Sequence, residues 1–141
     1  MDYLTEELIL QKSSQQLTAL LYEGLASLMQ DATRHIDKKH FYEANQSLQK
    51  AGDIVHRLGV GLRNESGLIA ENLDTLYSFL AEELIRVNLS KNMESISYLI
   101  QMVETLSEAW NEAMKMKQNV TADSVLVKVS AYENSVMRIK F

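Results

Sequence analysis

The residues of this chain able to do proton or metal chemistry are three histidines and nineteen acidic side chains, with no cysteine among its 141 residues. A di-metal carboxylate centre in a helical bundle needs Glu-x-x-His on two helices and a further Glu from each of two others, all facing inward. The one approximation is Asp53-Ile54-Val55-His56, and no second stretch supplies its mate. His35 and His40 lie beside Arg34, Lys38 and Lys39, a basic cluster better explained as a helix C-terminus, where cations oppose the helix dipole. Without cysteine there is neither a thiolate nucleophile nor a disulfide. Neither a Gly-x-Ser-x-Gly turn nor a Gly-x-x-x-x-Gly-Lys phosphate loop occurs. Asp74, Glu82, Glu83, Glu104, Glu108 and Glu112 are spaced as solvated helix faces, and nothing marks surroundings that would raise a carboxyl pKa for acid–base work. The sequence therefore assigns no catalytic residue, no metal ligands and no cofactor, and reads as a protein that binds rather than catalyses.

The elements that would position a binding surface are helical. Leu17, Leu21, Leu25, Leu28, Ala32 and Ile36 recur at steps of three and four, and Ser13-Ser14-Gln15-Gln16 offers a Ser-x-x-Gln capping box that predicts a helix over 14–38. Phe41, Ala44, Leu48, Ala51, Val55, Leu58 and Leu62 form a cleaner seam over 41–63. After Asn64-Glu65-Ser66-Gly67, a third helix carries Ile69, Leu73, Leu76, Leu80, Leu84 and Val87. Ser90-Lys91-Asn92 breaks it, with Asn92 able to cap a fourth that carries Ile96, Leu99, Val103, Leu106, Trp110 and Ala113. Short connections make sequential helices antiparallel. The expected fold is all-α, an antiparallel up-down-up-down four-helix bundle over residues 1–118.

Both ends are expected to depart from the bundle. Residues 1–13 have the pattern of a short amphipathic arm. Residues 123–141 lose the helical period and alternate through Val125, Val127 and Val129, so the C-terminal extension, residues 119–141, is read as either a small hairpin or a flexible tail. The net charge is −5, of which residues 119–141 contribute +1 and the rest −6. An acidic body without a Lys/Arg stripe argues against nucleic acid. No run is long and apolar enough to insert in a membrane, and the acidic start MDYLTEELIL is unlike a secretory signal, which predicts a cytoplasmic protein. Beyond the seams the helices carry a surplus of apolar residues, among them Leu20, Phe79, Ile85, Leu89 and Met102. Surplus of this kind marks grooves for a partner helix.

Three motifs together resemble a known family. LTALLYEGL at 17–25 looks like the opening signature of the FliS-type flagellar export chaperones, usually Glu-Leu-x-x-Met-Leu-Tyr-Asp-Gly. NLDTLYSFLAEELIRVNLSKN at 72–92 is similar to that family's third helix, and EAWNEAMK at 108–115 matches its closing Trp-x-x-Ala stretch. The resemblance covers residues 13 to 117. It implies a cytosolic chaperone that binds the disordered C-terminal segment of flagellin in apolar grooves, prevents early polymerisation and hands the client to the export gate. The groove candidates are Tyr22, Leu25, Met29, Ile54, Leu58, Leu62, Tyr77, Leu84, Ile100, Val103, Trp110 and Met114. Gly24, beside Tyr22, is expected to let a helix or the client approach the backbone closely. The family's lead-in, which contributes to gate docking, maps onto Tyr3 and Leu4, although its Tyr-x-x-Asn and Thr-Pro are absent here. That departure and the alternating tail leave open an adaptor of the same fold, with another helical client and a groove occluded by its own arm or tail.

Overall fold

The computed structural model describes residues 3–63 and 67–122, with side chains over 14–63 and 67–116. Four helices follow one another: α1 (Tyr3–Asp37), α2 (Phe41–Gly61), α3 (Leu68–Ser90) and α4 (Met93–Ala122). Among the described residues there is no strand, and the fold is an all-α four-helix bundle. The chain divides into two compact units, residues 1–107 and 108–141, the second holding the C-terminal half of α4. The alternating segment that suggested a hairpin lies outside the described residues from 123 onward.

Within the first unit, the core is made of short stripes, one from each helix. α1 contributes Tyr22, Leu25, Met29 and Ala32, all without solvent exposure, and α2 contributes Ala44, Leu48, Ala51, Val55 and Leu58. Leu80, Leu84 and Val87 of α3 and Ile96, Leu99 and Val103 of α4 complete the buried set. Spacings of three and four keep each set on one helical face, which is what lets four amphipathic helices bury a common core.

The connections fix the order of the helices. Three residues, Lys38 to His40, join α1 to α2: His40 N–H donates to the His35 carbonyl at 2.7 Å and Lys39 N–H to that of Ile36 at 2.9 Å, a Schellman closure with Lys39 at φ 61°. Lys91, at φ 53°, closes α3 by donating its N–H to the Val87 carbonyl at 2.7 Å. Asn92 then caps α4, its Oδ1 accepting from Ser95 N–H at 3.2 Å, as its side chain suggested. Cross-links between helices include Asn88 Nδ2 to Asn45 Oδ1 at 2.6 Å (α3 to α2) and Gln30 Nε2 to Glu104 Oε1 at 2.9 Å (α1 to α4).

Two expectations need correction. α1 starts at Tyr3 rather than at the Ser13–Ser14 box, so the backbone of residues 3–13 is helical and continuous with the rest of α1. Nothing in TEELILQKSS breaks a helix: Glu, Leu, Gln and Lys are good formers, and a capping box ends a helix only where the preceding residues leave it. The α1 stripe is also rotated by one residue from Leu21 and Leu28, which are half-buried, to Tyr22 and Met29; Leu17 is 56% exposed. The seam residues Phe41 and Ile69, each at the first turn of its helix, are exposed as well.

Candidate functional site

The α1 motif is anchored by its tyrosine. Tyr22 (0% exposed) and Tyr77 of α3 (4%) share a hydroxyl–hydroxyl hydrogen bond across the core, with ring centroids 6.4 Å apart and planes tilted by 53°. Burial is the main cause that pushes the Tyr22 phenol well above its ordinary value, and the Tyr77 hydroxyl adds to it. Burial also raises Tyr77, partly offset by its hydrogen bond with Tyr22. Both rings therefore stay neutral, and each supplies the polar partner the other needs inside an apolar core. The Leu-Tyr pairs at 21–22 and 76–77 mark the two ends of one hydrogen bond.

Gly24 has a simpler role. A Cβ built there lies 3.4 Å from Ile54 Cδ1, so α2 lays its isoleucine directly on the α1 backbone. The close approach is made by a helix of the same chain.

Of the groove candidates, Tyr22, Leu25, Met29, Leu58, Tyr77, Leu84 and Val103 are in the core of the first unit, while Ile54, Leu62 and Ile100 are half-buried. Trp110 and Met114, also half-buried, belong to the second unit. Tyr3 and Leu4 fall on the first turn of α1, and their side chains lie outside the described ones. The apolar side chains that face water are a different set, which includes Leu17 and Leu20 on α1, Phe41 and Tyr42 on α2, Ile69, Phe79, Ile85 and Leu89 on α3, and Tyr98 on α4. Periodicity ranks residues by how apolar they are and cannot separate these outward positions from the core; Leu17, Phe41 and Ile69 among them belonged to predicted seams.

A groove runs along the flank where α2 meets α3. It consists of two open troughs of about 360 and 340 Å³ that share Gly59, Arg63 and Asp74. Gly52 and Gly59, one heptad apart on α2, form part of its floor with Val55 and Tyr77, and a Cβ added at either glycine would meet nothing within 4 Å. The signal that could have found this groove in the sequence is the spacing of those two glycines on one face of the second helix.

The groups able to do chemistry do not converge. Among the described residues no three His, Cys, Asp or Glu side chains gather as a metal site would require. Asp53 and His56 are exposed, and the His35 and His40 rings stand 6.4 Å apart beside the α1–α2 connection. Among the described residues no helix is long and apolar enough to cross a membrane. What the geometry offers is a filled core, outward apolar side chains and a groove, which suits the burial of another chain's surface.

Comparison with known proteins agrees with this reading. The family described as flagellar protein FliS matches residues 2–117. The flagellar secretion chaperone FliS of Escherichia coli is 27% identical over 111 residues, which is 77% of this chain and 82% of the relative. Its namesake from Bacillus subtilis is 22% identical over 73% of this chain and 77% of the relative. That from Vibrio cholerae is 31% identical over 57% and 60%. The match takes in the Tyr22–Tyr77 pair, the α2–α3 groove and the Trp110 motif together, and the chain belongs to the FliS family of flagellar secretion chaperones.

Proposed function

We propose that this protein is a cytoplasmic export chaperone that binds the disordered C-terminal segment of flagellin, keeps it from polymerising early and delivers it to the flagellar secretion apparatus. The observation that supports the reading most directly is the distribution of apolar surface. With the core already closed by side chains such as Tyr22, Leu48, Leu80 and Leu99, residues as large as Leu20, Ile85 and Leu89 remain more than 60% exposed. A protein acting alone gains nothing from them; a client segment that folds on binding can bury them, its ordering entropy offset by that burial. The names of the family and of its relatives, flagellar secretion chaperones, support the same client class. The mechanism is burial, with no bond made or broken.

Titration calorimetry with a peptide spanning the C-terminal segment of flagellin tests the proposal. Binding at micromolar concentration or tighter, with a gain of helical circular dichroism, is the expected result. Failure to bind at tens of micromolar, about −6 kcal/mol, would sink it, because a dedicated chaperone must hold its client more tightly than that.

A further inference from the structure

We infer that the α2–α3 groove seats one helix of the client in a single polarity, with the client's acidic flank along α2 and its basic flank along α3. The inference rests on the flagellin reading above and deepens it. The groove follows α2 from Gly52 to its last residue, Gly61, about 14 Å or two and a half helical turns, and reaches Arg63 just beyond the helix. Its walls carry opposite charge: Arg63 stands at the α2 end, Glu71 and Asp74 on the α3 side. Among the described residues the ion pairs are Asp31–Arg34 and Glu83–Arg86, so Arg63 and Asp74 line the same trough without pairing with each other. A helix in the trough, with an acid beside Arg63 and a base beside Asp74, would satisfy both; the reversed helix would set like charges together on both walls.

The floor suits the same occupant. Tyr77 in the floor has its hydroxyl paired with that of Tyr22, and at Gly52 and Gly59 an incoming helix meets α2 backbone instead of side chains. The occupant is therefore an amphipathic helix with a narrow apolar stripe, acidic on one flank and basic on the other.

The test measures binding of a fluorescent flagellin C-terminal peptide to the full chain by anisotropy, with thermal melting as the control for folding. Gly59→Leu and Gly52→Leu each extend a side chain toward the trough from a position where a Cβ meets nothing within 4 Å, so both variants should melt no lower than the parent while weakening the peptide roughly ten-fold or more by blocking the trough. Arg63→Glu and Asp74→Lys should each weaken it by about three-fold, an effect that shrinks as salt is raised. If the parent binds and both leucine variants bind equally well, the helix lies elsewhere and this inference fails while the flagellin reading stands. Leucine variants that block alongside charge variants that do nothing overturn the assigned polarity. A parent that does not bind at all removes the flagellin reading and this inference with it.

Discussion

Two faces of α3 show opposite solutions to the same packing problem. On one, Tyr77, Leu80, Leu84 and Val87 sit at most 4% exposed, and even the polar end of Tyr77 is matched by Tyr22. On the flank toward α2, Asp74, Ser78 and Ala81 look across a trough at Gly52 and Gly59, and no side chain fills the space between. Both flanks belong to one continuous helix, so the difference lies in side-chain volume and not in backbone geometry. The filled face holds the fold together; the unfilled one is surface the fold does not use, and it is where a partner can add burial without displacing anything.

Substitutions can break the contrast at either face. The largest expected effect is in the filled seam: Leu99→Ala, at 2% exposure, should lower unfolding free energy by about 2–5 kcal/mol in a urea titration, through lost burial and the cavity left behind. Next comes Tyr22→Phe, which removes the hydroxyl partner of Tyr77 and should cost about 1–3 kcal/mol. Adding Tyr77→Phe should cost less than the sum of the two single changes, because the double variant leaves no phenol without its mate. Strict additivity would show that the pair is not coupled.

The same pair predicts a pH dependence. Phenols raised above their ordinary value hold their protons more tightly in the folded state than in the unfolded chain. Their contribution is therefore complete below about pH 10, where unfolded tyrosine titrates, and is lost as pH rises through that value toward the folded one. Unfolding midpoints measured from neutral to strongly alkaline pH should fall above about pH 10, and less steeply in the double phenylalanine variant. A smaller effect separates two glycines. Gly52→Ala adds its methyl to open space and should raise stability by roughly 0.5–1 kcal/mol through helix propensity alone. At Gly24 the same methyl meets Ile54 at 3.4 Å, so Gly24→Ala should gain less, and a gain equal to that at Gly52 would remove the close-contact account.

The sequence made the helices legible because their seams recur at one period and their breaks carry Asn, Gly and Ser. It placed α2 and α4 well: Ala44, Leu48, Val55, Ile96, Leu99 and Val103 are buried as their spacing predicts. It misplaced the α1 stripe because leucine outranks tyrosine on any apolarity scale, whereas a tyrosine becomes a core residue once a second hydroxyl lies within reach, and that partner is 55 residues away. The start of α1 was misjudged for the opposite reason: a capping signal was present, but the residues before it were helix formers too. The α2–α3 groove was not seen: the spacing of Gly52 and Gly59 marks its α2 side, but the empty space is the joint property of two helices.

The buried tyrosine pair has an optical consequence. The chain has a single tryptophan, Trp110, and it belongs to the unit formed by residues 108–141, whereas Tyr22 and Tyr77 are both in residues 1–107. Fixed in a chiral core, those two rings give the first unit a near-ultraviolet circular dichroism signal, while indole fluorescence reports on the second. The part of the near-ultraviolet signal lost in the double phenylalanine variant thus belongs to the first unit and the indole fluorescence to the second, with no label required. Superimposed melting curves from the two signals would mean a single cooperative transition; separated curves would resolve the order in which the units come apart.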